Sequence, residues 1–203
     1  MRGGGAEAKT ASVILAHPYE KSFNHAIFAA ATGALRAWGI SVFAHDLYAE
    51  GFDPVLTRAE LGKEETQDPL AARYIRELVA SDLLVFIHPN WWGQPPAIMK
   101  GYIDRVFRPP YAYDYEISAS GSTEIAQKLV GKIGIVFNTS NTEEVRENEY
   151  FHDPLEHEWL KCVFGFCGIE RCSRRMFRVV AESGAEERAR WLEMVRDDIE
   201  AFL

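Results

Sequence analysis

The first polar loop of the chain contains no glycine. The run Val13-Ile-Leu-Ala-His17-Pro-Tyr-Glu-Lys-Ser22-Phe-Asn24 passes from apolar residues through polar ones into a helical apolar pattern. That absence excludes at this place both the G-x-G-x-x-G dinucleotide turn and the G-x-x-x-x-G-K-[ST] phosphate loop. Basic residues are outnumbered, 22 Lys and Arg against 30 Asp and Glu. A net charge of −8 excludes a nucleic-acid partner, which would need cations to displace phosphate counterions. Cysteine is scarce: Cys162, Cys167 and Cys172, spaced by five. An odd count in that spacing fits neither a disulfide framework nor the closely paired ligands of a zinc site, so buried thiols and no metal are expected. No apolar run approaches the ~18–20 residues that span a bilayer, and the N-terminus has no signal-peptide core. The expectation is a cytoplasmic protein without membrane insertion. Residues 1–10, rich in Gly and Ala, are expected to be a disordered leader, with 11–203 a single domain. No repeat or low-complexity linker divides it.

Strand-like and helix-like patterns alternate along the rest of the chain. A strand over about Ser12–Ala16 precedes a helix from Phe23 to Trp38, which Gly39 stops. Ile40–Asp46 is the second strand. Asp68-Pro69 reads as an N-cap followed by proline at the first helical position, opening a helix to Ala80. Leu83-Leu-Val-Phe-Ile87 is apolar throughout, as a central parallel strand must be. Pro96 starts a helix with Ile98, Met99, Tyr102, Ile103 and Val106 on one face. Lys132–Phe137 is a fourth strand, Asp153-Pro154 opens a helix towards Phe166, Arg175–Val180 makes a fifth strand, and Glu186–Phe202 a terminal helix. Repeated strand–helix units predict an α/β fold with a parallel sheet covered on both faces. The cluster Arg171-Cys-Ser-Arg174-Arg175 reads as a solvated strand edge, and the acidic run Glu143–Glu149 as a solvated loop or helix face.

In such a sheet ligands bind beyond the C-terminal strand ends. Three loops there carry unusual chemistry: His17 to Asn24, with a histidine, a lysine and hydroxyl or amide groups; His88-Pro-Asn90-Trp91-Trp92-Gly93; and Asn138-Thr139-Ser140-Asn141. The first precedes a helix N-terminus, where free N–H groups and the dipole favour an anion. Paired tryptophans offer flat apolar area, and the Asn-Thr-Ser loop offers polar groups for a ring edge. Each has a plainer reading. His17 can bond backbone at a helix start, the tryptophans can fill a packing gap or a subunit contact, and Asn138–Asn141 can be a turn. Together they describe a phosphate pocket beside a flat, polar-edged ring pocket, which is the shape of a flavin.

The segments Ala16-His17…Ser22-Phe23-Asn24, Asp46-Leu47-Tyr48 and Pro96-Ala-Ile-Met-Lys-Gly-Tyr-Ile-Asp-Arg-Val-Phe107 resemble the NAD(P)H:quinone oxidoreductases. These are flavodoxin-like proteins that include the mammalian quinone reductases and the ancillary subunits of bacterial potassium-efflux systems. The resemblance implies a flavodoxin-like three-layer sandwich with a parallel sheet of order 2-1-3-4-5, and a homodimer. It implies FMN or FAD as cofactor, NAD(P)H as transient hydride donor and a quinone-like acceptor. By the same resemblance His17, Ser22, Phe23 and Asn24 form the phosphate site; Pro89, Asn90, Trp91, Trp92 and Gly93 cup the flavin ring; Asn138, Thr139, Ser140 and Asn141 meet its pyrimidine edge. The mammalian pattern has Thr-Thr-Gly-Gly at this last loop, then a tyrosine and a histidine that assist flavin reduction. This chain has no glycine pair, and Tyr150 and His152 are the nearest catalytic candidates. The expected function is a flavin-dependent NAD(P)H dehydrogenase (quinone). The alternatives are an ancillary transporter subunit and a flavodoxin-type electron carrier; a carrier holds phosphate in a Ser/Thr/Gly-rich loop, unlike His17-Pro-Tyr-Glu-Lys21.

Overall fold

A computed structural model describes residues 9–203. The expected leader therefore lies outside the described residues except for Lys9 and Thr10, and Thr10 already opens the first strand. In chain order the elements are β1 (Thr10–Leu15), α1 (Phe23–Ala37), β2 (Ser41–Asp46), α2 (Pro69–Ala80), β3 (Leu83–Pro89), α3 (Ala97–Val106), β4 (Tyr113–Ile117), β5 (Thr123–Gln127), β6 (Ile133–Thr139), α4 (Glu144–Glu149), α5 (Pro154–His157), β7 (Arg171–Phe177) and α6 (Ala185–Glu200). The main sheet runs β2-β1-β3-β6-β7, parallel at every pairing. With the β4–β5 hairpin set apart, this is the expected 2-1-3-4-5 order.

Alternation along the strands sorts the core into two layers. Val13, Leu15, Val85, Ile87, Ile135 and Phe137 pack with Ile27, Leu35, Val195 and Ile199 of α1 and α6. The intervening Ile14, Leu84, Phe86 and Val136 face Tyr74, Met99, Tyr102 and Trp159 on the opposite side. The central strands β3 and β6 are buried at every residue, which is why Leu83–Ile87 is apolar throughout and β6 carries polar side chains only at its C-terminal end. Asp68 caps α2 as expected, accepting from the backbone N–H of Leu70 and Ala71. Gly101 lets α3 press against the chain at Pro54; a Cβ there would lie 2.3 Å from the Pro54 carbonyl oxygen.

Several sequence expectations are corrected. The fifth sheet strand is Arg171–Phe177, not Arg175–Val180, because its register runs from Ile133↔Arg171 to Thr139↔Phe177 and the chain leaves the sheet there. The strand tolerates its arginines by pairing them. Arg174 is nearly buried and bridges Asp153 and Glu156, while Arg175, on the other face, pairs with Asp198. Arg174 is thus not solvated, whereas Arg171 stays exposed as expected of a strand edge. Glu147, within the acidic run, is fully buried. Of the cysteines only Cys167 is buried; Cys162 is exposed and Cys172 half-buried. The helix from Pro154 widens into a π-helix over Glu158–Gly165. The β4–β5 hairpin, whose register runs from Tyr113↔Gln127 to Ile117↔Thr123, has no counterpart among the expected strands. No helix among the described residues is long and apolar enough to cross a membrane.

Candidate flavin site

β1 delivers His17 to the sheet's C-terminal edge, and the loop turns into α1 at Ser22. Ser22 Oγ accepts the His25 N–H at 3.4 Å as the helix cap, and no acidic side chain occupies the first turn. The helix's free N–H groups and positive dipole end are therefore left for an external anion. His17 Nδ1 accepts the Tyr19 N–H at 3.1 Å, so the ring carries its proton on Nε2. Burial, then the neighbouring His25, lower the His17 pKa from 6.5, which keeps the ring a neutral donor at pH 7.

Ser22 is itself held by His25 and Asp46, neither of which is among the expected site residues. Asp46 Oδ2 lies 3.0 Å from His25 Nε2, and His25 Nδ1 lies 2.9 Å from Ser22 Oγ. Asp46 Oδ1 is fixed by the N–H groups of Tyr48 and Ala49. The relay fixes the hydroxyl at the helix start. Two signals could have found it: Ser22 and His25 share a helix face at three-residue spacing, and Asp46 ends the strand paired in register with β1, opposite Leu15.

The three loops are tied to one another. Asn24 Nδ2 donates to Thr139 Oγ1 at 2.8 Å, and the Asn90 N–H donates to the Thr139 carbonyl at 2.7 Å. Asn24 Oδ1, fully buried, has no partner among the described residues. Ser140 Oγ accepts the Thr142 N–H at 3.0 Å, and Asn141 Oδ1 accepts the Ala181 N–H at 2.9 Å. Asn138 departs from expectation. It shares a strand face with Val136 rather than with Thr139, so its amide meets the His88 ring at 3.1 Å and its Oδ1 accepts from Arg174. It braces the sheet end from behind and does not line the cavity.

The tryptophan loop is a two-residue hairpin. Trp91 and Gln94 exchange backbone hydrogen bonds of 3.1 Å, and Trp92 and Gly93 both take positive φ, 59° and 73°, as a type I′ turn requires. Gly93 fits because a Cβ there would lie 2.8 Å from Pro154 Cγ. Trp92 has no such exemption; the left-handed conformation costs a side-chain-bearing residue about 1–2 kcal/mol. Its indole is fully exposed. Trp91 is half-exposed, its ring 6.1 Å from that of His17.

These loops enclose two adjoining cavities. One, about 440 Å³, lies among the first and third loops, with Trp91, Lys21 and Arg188 in its wall. Among the described residues no carboxylate lines it, although the chain carries a net charge of −8. Arg188, from α6, was not legible as a site residue. It is held by hydrogen bonds of 2.8 Å to Ser183 Oγ and the Val180 carbonyl, and its guanidinium lies 6.0 Å from the Phe23 ring. The second cavity, about 620 Å³, is walled by Trp92, Gly93, Glu147, Tyr150, Phe151 and Pro154, and meets the first at Asn90 and Thr142. Tyr150 thus stands beside the expected ring site. His152 lines neither cavity; the chain turns away there, with positive φ at His152 and Asp153.

A family profile described as the flavodoxin-like fold matches residues 9–203. A Haemophilus influenzae protein named an uncharacterized NAD(P)H oxidoreductase is 29% identical over 170 residues, covering 81% of each chain. NAD(P)H dehydrogenase [quinone] 1 of Cavia porcellus is 34% identical over 129 residues, 54% of this chain and 47% of that protein. The crystal structure of Smu.1420 from Streptococcus mutans superposes with a TM-score of 0.78 at 28% identity, covering 93% of this chain and 97% of that one. By sheet order and by this match, the chain belongs to the flavodoxin-like fold family, and proteins similar to it bear the names NAD(P)H oxidoreductase and quinone dehydrogenase.

Proposed function

We propose that the chain binds a flavin, FMN or FAD, in the first cavity with its ring facing the second, where the acceptor enters, and works as an NAD(P)H dehydrogenase (quinone). The observation that carries this reading is a cationic, carboxylate-free anion cavity opening into an aromatic-walled one at the C-terminal ends of β1, β3 and β6. Both volumes lie in the range of roughly 300–1,000 Å³ typical of small-molecule sites. The names borne by its relatives agree with it.

The residues present fit the group. The N–H groups of Phe23 and Asn24, Lys21 and Arg188 would hold the phosphate, with His17 donating through Nε2 and Ser22, capped to the helix and held by His25, fixing the turn around it. Asn24 Oδ1, buried and unpartnered, would accept a donor from the ligand. Pro89, Asn90, Trp91 and Gly93 would flank the ring, and Thr139, Ser140 and Asn141 its polar edge. When bound, the flavin supplies hydride acceptance from a nicotinamide and two-electron delivery to a quinone. The protein's part is to fix the ring against the hairpin and to place hydroxyl and N–H donors where negative charge gathers on reduction. Tyr150 would exchange a proton with the acceptor through its phenol at the cavity wall, while His152 takes no part. We further propose that two copies pair as a homodimer with Trp92, Tyr150 and Phe151 at the contact, which sedimentation velocity would read directly.

Protein reconstituted with excess FMN or FAD should retain yellow cofactor on desalting. NADH or NADPH should bleach its visible absorbance anaerobically, and a naphthoquinone should restore it. Failure of both nucleotides to bleach the loaded protein would refute the reading. The mass of the cofactor retained distinguishes FMN from FAD.

A further inference from the structure

The second cavity holds a group that the flavin reading does not use. Its walls are largely apolar, yet Glu147 is among them and is fully buried. Its carboxylate is half satisfied. Asn90 Nδ2 donates to Glu147 Oε2 at 3.0 Å, while Oε1 has no hydrogen-bond partner among the described residues.

The direction of this arrangement is set by the backbone. The Gly93 N–H donates to Asn90 Oδ1 at 2.9 Å, so the Asn90 amide must turn its NH₂ towards Glu147, and Glu147 must accept. The tight hairpin that presents Trp92 therefore also fixes which oxygen of Glu147 is spent and which is left. An acceptor without a donor in a buried place costs free energy that a ligand can recover by donating to it. Aromatic groups share this wall, Trp92 from the hairpin and Tyr150 from the end of α4.

We propose that Glu147 is a specificity-determining residue of the acceptor cavity, selecting flat ring compounds that carry an N–H or O–H donor on the edge facing α4. This rests on the flavin-reductase reading for the identity of the cavity. A plain quinone presents only carbonyl oxygens along its edge and leaves Glu147 Oε1 unsatisfied. An aminoquinone, an aryl amide or a hydroxylated ring satisfies it. The preference follows from the acceptor's chemistry: a site built around a buried polar atom rejects the analogue that lacks its partner more strongly than an apolar wall rejects an added group.

The test compares 2-amino-1,4-naphthoquinone with 1,4-naphthoquinone, a neutral pair differing in one donor-bearing substituent. Affinities are measured by titration calorimetry on the protein as purified and again with excess FMN. The wild-type chain should bind the amino compound at least about tenfold tighter, the range expected of a hydrogen bond to a carboxylate. In Glu147→Gln the Asn90 NH₂ still requires an acceptor, so the new amide turns its oxygen to Asn90 and its NH₂ to the cavity. The preference should then vanish or reverse towards the carbonyl-only compound. Equal wild-type affinities overturn the assignment whether or not the variant folds. An unchanged ratio in a folded Glu147→Gln overturns it as well. Bleaching by NAD(P)H, recorded on the same wild-type sample, separates the outcomes: normal bleaching without the preference removes only the role of Glu147, whereas absent bleaching removes the flavin-reductase reading.

Discussion

His88 should make the folded protein sensitive to mild acid. It ends the apolar run of β3, is completely buried, and works as a neutral ring. Its Nδ1–H donates to the Pro89 carbonyl at 2.8 Å, and its Nε2 accepts the Trp159 indole N–H at 2.9 Å. Everything around Nε2 is a donor or a cation: the Trp159 N–H, the Asn138 NH₂ at 3.1 Å, and Arg174, which binds Asn138. A proton on Nε2 would face them all and break the indole bond. Burial, aided by the Arg174 charge, accordingly pulls the His88 pKa from 6.5 down to about 4. In the unfolded chain the ring takes its proton at the ordinary value. The unfolded state therefore binds more protons between these two values, and stability falls as pH drops through that window. Above pH 6.5 the contribution is complete. By pH 5 the linkage removes about 2 kcal/mol, and below pH 4 about 3 kcal/mol. Urea unfolding of the wild type and of His88→Gln, each at pH 7.5 and pH 5.0, measures it. The variant should be weaker at pH 7.5, because the Trp159 N–H loses its partner, but should lack this share of the acid loss. A pH dependence in His88→Gln within about 0.5 kcal/mol of the wild type's would refute the argument.

Other consequences follow from the site's geometry. Arg188→Leu keeps the apolar contact with Phe23 but removes a cation from the carboxylate-free cavity; retained flavin should bind about tenfold more weakly, with a shallower dependence on salt, read by equilibrium dialysis. Ser22→Ala removes the α1 cap and the end of the His25 relay that fixes the turn, costing about 1 kcal/mol of stability as well as cofactor affinity, and Asp46→Asn should weaken affinity less because it only loosens that relay. Trp92→Gly relieves a left-handed position but removes a side chain from the proposed dimer contact; the stability of the single chain should be unchanged or up to about 1 kcal/mol higher, while dimerisation weakens and the KM for a quinone increases. Gly93→Ala should do the reverse, since its Cβ meets Pro154; a lower melting temperature is the expected reading.

Much of the architecture was legible because it depends on local periodicity. The apolar stretch Leu83–Ile87 and the Asp68-Pro69 cap are statements about neighbours in sequence, and both stand where expected. The strand-end rule also brought His17, Ser22, Asn24, Asn90, Trp91 and Thr139 into one cavity wall. The β7 limits are not legible in the sequence because Val179-Val180 look more strand-like than an arginine-rich segment. Only the pairing with β6, and carboxylates brought from α5 and α6, make Arg171–Phe177 a strand. Asn138 was placed with its loop neighbours, yet it lies on the face opposite Thr139.

The sequence by itself determined the parallel α/β class, the glycine-free turn into α1 and the chemistry of the three polar loops, since strand and helix periods and turn residues act over a few positions. Tertiary structure alone decided which charges are buried and which polar atoms are left over. Glu147 is solvent-like by its neighbours yet buried, with Asn90 donating to it; Arg188 is one of several arginines along α6 until the fold sets it near Phe23 and into one cavity wall with Lys21. The physical reason is that desolvation and hydrogen-bond satisfaction depend on partners distant in sequence, and those partners meet only when the sheet has assembled.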